Sequence, residues 1–495
     1  MKKIKIARIV VSTCLFLLIC AAFSGVCYWA GQGAKLMFFP AFAAGSLVGI
    51  LWLVAALFRG RVFCSWGCPL GYIQDITGFL GRKFRRAKSV PQAPRRFLRY
   101  SAGILLLMIF ACGLGGLFGF FEPFSVTGRF FNSILRPVFQ YVGNTTKWWH
   151  FSEITPVAGG VMAAGALFMA LIAGAAFFRE RLFCNTLCPV GFMLGLFARM
   201  AKFRLKFNEK CIKCKGCEKV CKAGCIDVEK GFVDSERCVA CGNCLAACRL
   251  EGLEGKGSFL PDSQVAEPFS GKRRAFLAGL AVAGAAGATG VRMKWGKEGK
   301  RLPCAPPGAG SIENFNLKCT GCQLCVANCL GKVLTPAALE YGLDGIGQPR
   351  MSTVQGFCDP ECNNCCTVCP TGALKHLTLA EKKRCRVGMV TYYRNRCVVV
   401  LDEESCGACA EHCPTGALDM VPYKDGLTIP KVIPELCVGC GGCEYICPVR
   451  PRRAVVVNGL RKQETATEPA KYRKRDAAGK KSKPAAVVSE DAFPF

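Results

Sequence analysis

Most of the 36 cysteines in this 495-residue chain stand in short clusters, with two or three residues between neighbours. Residues 211–221 read CIKCKGCEKVC and residues 238–248 read CVACGNCLAAC, so both have the spacing C-x2-C-x2-C-x3-C. Three thiolates this close together can bind three irons of a 4Fe-4S cluster, and the fourth ligand comes from the partner motif. We therefore predict two clusters, with the ligand sets Cys211, Cys214, Cys217 and Cys248, and Cys238, Cys241, Cys244 and Cys221.

Four more motifs follow between residues 319 and 448. CTGCQLCVANC (319–329) and CVGCGGCEYICP (437–448) are regular, whereas CDPECNNCCTVCP (358–370) has an extra residue between its first two cysteines. In CGACAEHCP (406–414) the first cysteine is displaced, and Cys397 is its expected substitute. Zinc is the alternative for any single motif, but six repeats of this spacing favour iron–sulfur clusters. The predicted ligands of these four clusters are Cys319, Cys322, Cys325, Cys329, Cys358, Cys362, Cys365, Cys369, Cys397, Cys406, Cys409, Cys413, Cys437, Cys440, Cys443 and Cys447.

A different cysteine motif occurs twice, as RGRVFCSWGCPLG at 59–71 and RERLFCNTLCPVG at 179–191. Each copy holds two cysteines four apart followed by proline, so two copies supply the four thiolates of one further metal or redox site. We predict that this site consists of Cys64, Cys68, Cys184 and Cys188. Arg59, Arg61, Arg179 and Arg181 are expected to face lipid phosphate or an anionic cofactor. The alternative is a structural or redox-active cysteine pair in each loop.

Four apolar stretches, at 9–30, 37–58, 101–121 and 156–178, have about the 20 residues that a membrane-spanning helix needs. The first is long and lacks a clear cleavage site, so it is expected to be retained. Lys and Arg are concentrated before the first stretch, after the second and after the fourth, which places the N-terminus in the cytoplasm. The paired cysteine–proline loops then lie at the cytoplasmic ends of the second and fourth helices.

The formal net charge is +31, and many of the basic residues flank apolar segments. We therefore attribute the charge to attraction by anionic lipid and to the control of membrane topology, rather than to nucleic-acid binding. A further apolar run at 275–291 follows SGKRRAFLAG, in which Arg273 and Arg274 fit a twin-arginine export signal. Such a signal would place the following domain in the periplasm. The alternatives are an ordinary membrane helix, or a buried Ala/Gly helix with all later residues cytoplasmic.

These elements predict a chain of five parts. A four-helix all-α membrane domain of two helix hairpins (1–205) precedes an α+β two-cluster ferredoxin domain in the cytoplasm (206–255). A linker with the fifth, twin-arginine-like helix (256–300) leads to a periplasmic ferredoxin-like four-cluster domain (301–460) and a disordered basic tail (461–495). The three histidines lie outside the predicted membrane helices, and no nucleotide or flavin pattern occurs, so neither haem nor flavin is expected.

The paired FCSWGCP and FCNTLCP loops, the four-helix core and the motifs at 211–248 resemble the membrane polyferredoxins typified by NapH, NosR and MauN. The part from Arg273 onward resembles the NapG/MauM ferredoxins, so the chain looks like a fusion of the two. Lys222 and Arg249 depart from the family by replacing the usual proline after the fourth cysteine. The resemblance implies that the first and fourth motifs of the four-cluster domain exchange ligands, and that the second and third do so. Cys447 would complete the first cluster and Cys329 the fourth, while Cys369 and Cys413 would cross between the middle two.

The same resemblance implies electron transfer from the quinol pool to a periplasmic oxidoreductase or its cytochrome, with nitrate reduction as the type case. The chain would then be an inner-membrane electron carrier or a quinol dehydrogenase component. The alternative is a maturation factor that supplies electrons for the assembly of a copper or molybdenum enzyme. A redox-sensing regulator is less favoured, because no added sensor domain is present.

Overall fold

The computed structural model describes residues 2–24, 31–85, 96–145, 159–257, 302–342, 345–468 and 472. The predicted export signal at Arg273 and Arg274, the apolar run at 275–291 and most of the basic tail lie outside these residues. Two compact units are present, one within Met1–Arg292 together with Thr320–Cys322, and the other within Met293–Cys319 and Gln323–Phe495.

A helix overlaps each of the four apolar stretches. These helices are Lys2–Ser24, Leu47–Arg59, Arg96–Ala111 and Gly159–Phe178. Among the described residues, one helix is long and apolar enough to cross a membrane, with its span at Lys5–Ser24. Four other helices are apolar but shorter: Leu47–Arg59, Phe97–Ala111, Ala163–Phe178 and Pro189–Ala198. Glycines shorten two of the predicted spans, because Gly45 (φ 67°) and Gly113 (φ 87°) adopt left-handed conformations that interrupt a helix.

Shorter helices complete the first unit and position the cysteine–proline loops. Each loop is one short helix followed by a longer one that starts at the motif proline: Val62–Trp66 with Pro69–Arg85, and Leu182–Thr186 with Pro189–Ala198. This unit also contains a 3-10 turn and two short helices, Gly33–Leu36, Phe38–Ala43 and Gly115–Phe118.

The region between the third and fourth apolar stretches contains helices that the sequence did not predict. The stretch 122–155 was expected to connect the third and fourth membrane helices, but residues 123–145 are helical, as Pro123–Phe130, a π-helical turn at Phe131–Leu135 and Arg136–Thr145. The carboxylate of Glu122 caps the start by accepting hydrogen bonds from the amides of Phe124 (3.1 Å) and Ser125 (2.6 Å). The helix was missed because its buried residues mix polar side chains, such as Ser125 and Arg129, with apolar ones, such as Phe124 and Val126, and so form no continuous apolar stripe.

The two-cluster domain is built from two small antiparallel strand pairs and two short helices, as the α+β ferredoxin-like prediction requires. Phe203–Phe207 pairs with Leu253–Gly257, and Ile226–Asp227 pairs with Phe232–Val233. The helices Gly216–Lys219 and Asn243–Ala247 each carry the third cysteine of a motif.

The second unit repeats this pattern on a longer strand pair. Its helical segments are Ile312–Lys318, Leu324–Ala327, Asn364–Val368, Leu379–Arg384, Arg394–Arg396, Val398–Leu401, Ala408–Glu411 and Gly442–Ile446. Its antiparallel strand pairs are Leu334–Pro336 with Pro349–Met351, Leu418–Pro422 with Thr428–Val432, and Cys385–Tyr392 with Val455–Thr465.

The ordered structure of this unit extends a few residues beyond the predicted boundary at residue 460. The last strand continues to Thr465, where Glu464 and Thr465 pair with Arg386 and Cys385. Residues 461–465 are polar and basic, so composition assigned them to the tail, but their main chain is held by the neighbouring strand.

Candidate iron–sulfur and thiol sites

The loops of the four regular motifs share an unusual main-chain conformation. In each, the second and fourth residues after the first cysteine have positive φ, and the pairs are Lys213 and Lys215, Ala240 and Gly242, Gly321 and Gln323, and Gly439 and Gly441. A left-handed conformation in a residue other than glycine costs about 1–2 kcal/mol. Such strain persists where a loop must wrap around a site. At Gly439 a side chain is also excluded by space, because a Cβ would lie 2.5 Å from the amide nitrogen of Gly388.

The two-cluster domain brings its eight motif cysteines together in two sets of four. Cys211, Cys214, Cys217 and Cys248 line one cavity. A second cavity is lined by Cys221, Cys238, Cys241 and Cys244, and also by Cys225, whose sulfur lies 3.5 Å from that of Cys221. These are the sets that the motif spacing predicts, and their ligation of iron remains a prediction.

The second unit groups its cysteines differently from the expected pairing. Cys447 lines a cavity with the third-motif set Cys397, Cys406 and Cys409. Cys413 lines another with the fourth-motif set Cys437, Cys440 and Cys443. Cys329 of the first motif interacts electrostatically with Cys362 and Cys365 of the second. The pairing of first with fourth and second with third is therefore wrong.

The physical reason is the packing of the motif helices. Leu324–Ala327 of the first motif packs on Asn364–Val368 of the second, and Ala408–Glu411 of the third packs on Gly442–Ile446 of the fourth. Each helix ends beside the partner's ligand loop, so consecutive motifs exchange their fourth cysteines. By the same exchange, we expect Cys369 to complete the first set.

The donor chemistry of these sites fits iron–sulfur clusters. Several sulfurs accept main-chain N–H groups from a few residues downstream: Gly252 to Cys248 (3.2 Å), Ala417 to Cys413 (3.2 Å) and Leu374 to Cys369 (3.4 Å). Hydrogen bonds to the sulfurs are a known means of tuning bound clusters. Within the described residues, no three His, Cys, Asp or Glu side chains converge closely enough to hold a single metal ion.

The paired cysteine–proline loops converge on one buried site. Cys64, Cys68, Cys184 and Cys188 are only 3–7% exposed. Cys188 interacts electrostatically with the other three thiols, so the two loops face each other. Cys68 and Cys188 each precede the proline that starts a helix, and their sulfurs accept N–H groups from Gly71 (3.4 Å) and Gly191 (3.2 Å). Burial raises the pKa of Cys68 and Cys188, because an isolated thiolate is costly inside a protein.

Two arginines join the loops in a reciprocal arrangement. Arg61 of the first loop donates to the carbonyl of Cys184 (2.9 Å), and Arg181 of the second donates to the carbonyl of Cys64 (2.7 Å). Both guanidinium groups are fully buried. The expectation that they face lipid phosphate is therefore wrong: the partner loop's main chain holds them. Arg59 and Arg179, two residues earlier in each copy, are exposed.

The two-cluster domain packs directly on this site. Arg61 also donates to the side chain of Asn185 (2.8 Å) and reaches the carbonyls of Glu236 and Arg237 (both 3.5 Å), next to the predicted ligand Cys238. Asn185, which lies between the two cysteines of its loop, donates to the carbonyl of Ala223 (3.1 Å). The paired loops and the second ligand set of the two-cluster domain are therefore neighbours.

A second polar contact involves Asp75, which sequence reasoning missed. Its carboxylate binds Arg181 (2.8 Å), Lys222 (2.9 Å) and Arg8 (3.8 Å). Burial alone would raise the pKa of Asp75, but Arg181 and Lys222 outweigh it and lower the pKa. The preceding Gln74 is fully buried, and its amide nitrogen lies 3.3 Å from the Cys184 sulfur. The signal that could have revealed both is a Gln-Asp pair just after the first loop, where the second copy has Leu194 and Gly195.

Comparison with known families agrees with this arrangement. Residues 404–450 match a family described as a 4Fe-4S dicluster domain, and these residues include the third and fourth motifs together. Residues 41–87 and 161–208 each match a family described as a 4Fe-4S binding domain, and these two matches contain the paired cysteine–proline loops. The chain is thus a ferredoxin-type iron–sulfur protein.

Similar proteins narrow this class. The chain is 30% identical over 182 residues to the ferredoxin-type protein NapH of Haemophilus influenzae, covering 36% of this chain and 53% of NapH. It is 28% identical over 198 residues to the ferredoxin-type protein NapG of Escherichia coli, covering 37% of this chain and 84% of NapG. It is also 27% identical over 176 residues to an uncharacterized protein of Methanocaldococcus jannaschii, covering 35% of this chain and 55% of that protein.

These similarities support a polyferredoxin family of the NapH/NapG type. It spans little more than half the length of the NapH and M. jannaschii relatives. No solved structure matches the chain significantly.

Proposed function

We propose that this protein is a multi-pass inner-membrane electron carrier that passes electrons from the quinol pool to a periplasmic redox enzyme. The observation that carries the proposal is the contact between the buried four-thiol site of the paired loops and the two-cluster domain, made through Arg61. It places two groups of redox-capable thiols side by side. The similarity to NapH and to NapG supports a chain that combines both kinds of ferredoxin.

The predicted ligand sets would hold six 4Fe-4S clusters, and each cluster would carry one electron at a time. The protein's part is to supply four thiolates per site, to donate N–H groups to the sulfurs and to exclude water. The four-cluster unit, reached after the export-like signal, would lie in the periplasm, where it could meet an oxidoreductase or its cytochrome.

The apolar surface of the first unit supports its placement in a membrane. Leu17 and Leu51 are 60% and 64% exposed on the helices Lys2–Ser24 and Leu47–Arg59. Leu167 and Leu171 are 63% and 61% exposed on Gly159–Phe178. Large apolar side chains in such numbers are costly in water, whereas lipid would cover them.

The paired loops have the donors for a seventh iron–sulfur centre. Four buried thiols face each other there, and two of them, Cys68 and Cys188, directly precede the prolines that start helices. Burial raises the pKa of these two thiols, so iron bound between the loops would supply the positive charge that a buried thiolate needs. The buried guanidinium of Arg61 interacts with the thiols of Cys64, Cys184 and Cys188, which suits an anionic sulfur group between the loops. The family match to a 4Fe-4S binding domain on both loops supports the same assignment.

Quinol-driven reduction of the clusters tests the proposal. Membrane vesicles containing the full chain would receive a reduced quinol, and the clusters would be followed by electron paramagnetic resonance. We expect the signals of reduced clusters to appear after quinol is added, and we expect Cys188→Ser to reduce the rate of their appearance strongly. Cys112→Ser, which changes an exposed cysteine outside every motif, is the control and should match the wild type.

Clusters that a chemical reductant reduces but a quinol does not would contradict the proposal. Copper bound at the paired loops would instead favour the maturation role.

A further inference from the structure

A cavity in the second unit lies where the second and fourth cysteine motifs meet. Its wall includes Cys358 of the second motif and Cys440 of the fourth, together with Lys382. The amide of Cys358 donates a hydrogen bond to the carbonyl of Cys440 (2.9 Å), so the two ligand loops are joined directly. The adjacent rings of Phe357 and Tyr445 pack with their centroids 5.9 Å apart.

This junction fixes an order for the four ligand sets. Cys329 links the first motif to the second, and Cys413 and Cys447 link the third to the fourth. The contact between Cys358 and Cys440 joins the two pairs through the second and fourth motifs. The sets therefore follow one another as first, second, fourth and third, which is not their order along the chain.

Lys382 brings a buried positive charge to the junction. Its side chain is 5% exposed and donates to the carbonyl of Asp359, which is a neutral partner and not a carboxylate. It interacts electrostatically with Cys358 of the second motif and with Cys440 of the fourth. The helix Leu379–Arg384 that carries it starts at a capping box formed by Thr378 and Glu381, so the lysine is held in place.

We propose that Lys382 is an electrostatic positioning residue that raises the reduction potentials of the second and fourth clusters together, at the centre of a row ordered first, second, fourth and third. The inference rests on the proposed cluster ligation. A reduced cluster is more negative than an oxidised one, so a buried cation near both ligand sets stabilises both reduced forms. The central pair would thereby become the preferred resting place of electrons within the unit.

Replacement of Lys382 by methionine tests this inference, because it removes the charge and keeps most of the apolar stem. The full chain would be purified in detergent, and a redox titration followed by electron paramagnetic resonance would give each cluster's midpoint potential. Among the clusters of the full chain, the midpoint potentials of two, the second and fourth of this unit, should fall by about 59 mV, which is a tenfold lower ratio of reduced to oxidised cluster at a fixed potential. Cys362→Ser and Cys437→Ser would identify the signals of the second and fourth clusters.

Lys383→Met is the matched control, because it removes the same charge from the next residue. Lys383 pairs with Glu361 at 2.6 Å on the surface, so its loss should leave the potentials unchanged. Lys382→Arg keeps the charge and should retain the wild-type potentials. The inference would be overturned if Lys382→Met shifted the midpoint potential of only one of the two clusters, or of neither. It would also be overturned if Lys383→Met shifted both potentials by the same amount. A wild-type chain without iron and sulfide would refute the proposed function instead.

Discussion

At the scale of single residues, Arg61 and Arg181 occupy equivalent places in the two loops but differ in how their charges are balanced. Arg181 binds the carboxylate of Asp75 as well as a carbonyl. Among the described residues, Arg61 has no carboxylate partner of this kind: it donates to carbonyl and amide oxygens, and its charged neighbours are the thiols of Cys64, Cys184 and Cys188. Because a buried charge is costly unless it is paired, Arg61 favours a negatively charged, thiolate-bound centre between the loops.

Substitution of Arg61 by glutamine should loosen the contact between the loops and the two-cluster domain. The change leaves several buried oxygens without a donor, which costs about 1–3 kcal/mol for each unsatisfied group. We expect a clear fall in the melting temperature of the purified protein, followed by its cluster absorbance. Arg59→Gln, at an exposed position in the same loop, is the control and should change stability by less than about 0.5 kcal/mol. Equal melting of the two variants would argue against the arrangement.

Gly191 tests the close approach of the two loops. A Cβ at this position would lie 2.3 Å from the carbonyl oxygen of Cys184 and 2.6 Å from a guanidinium nitrogen of Arg61. Gly191→Ala should therefore destabilise the site by about 1–3 kcal/mol and lower the iron content per chain. Gly174→Ala is the matched control, because nothing lies within 4 Å of its Cβ. Full iron content in Gly191→Ala would show that the loops are further apart than described.

At the scale of elements, apolar runs and cysteine spacing predicted much of the first unit, whereas polar contacts between elements were not predictable. The four helices follow from runs of apolar residues, which need no partner to be recognised. Asp75 was not identified, because its importance depends on Lys222, which is 147 positions away in sequence and adjacent only after folding. The helix that starts at Pro123 was missed for a similar reason, since its neighbours bury its polar residues together with its apolar ones.

Asp75→Asn should weaken the packing of the two-cluster domain on the helix Pro69–Arg85. Arg181 and Lys222 would lose their shared carboxylate, and breaking a buried ion pair costs about 3–5 kcal/mol. Limited proteolysis of the chain in detergent should cut this variant faster than the wild type. Asp227→Asn removes an exposed carboxylate that pairs with Lys230 at 3.9 Å, and its cleavage rate should not change. Equal rates for both variants would contradict the role of Asp75.

The same carboxylate predicts a response to acid. Since the folded state lowers the pKa of Asp75, its stabilisation is complete above the ordinary carboxyl pKa and is lost as the pH falls through the lowered value. The wild-type protein should therefore become more sensitive to protease as the pH drops below about 4. Asp75→Asn should lack this component of the acid response. If the protease sensitivity of that variant depended on pH as in the wild type, Asp75 would not be the group responsible.

At the scale of the whole molecule, the spacing within each motif predicted which cysteines are candidate ligands, but the sequence did not reveal which motifs pair with each other. The spacing identified Cys397 as a candidate ligand, and the structure places it in a cavity with Cys406, Cys409 and Cys447. The fourth cysteine of each predicted set comes from another motif, so it depends on which motif helices pack together. Six similar motifs allow several pairings, and only the fold distinguishes them. The export signal lies outside the described residues and remains a prediction.

The content of iron and acid-labile sulfide per purified chain tests the central claim most directly. Six clusters require about 24 iron atoms, and an occupied centre at the paired loops would raise the number to about 28. We expect the higher number in the wild type and about 24 in the Cys68→Ser, Cys188→Ser double variant. Fewer than about 24 iron atoms in a fully folded chain, or zinc in place of iron, would contradict the assignment of these thiols to an electron-carrying row of clusters.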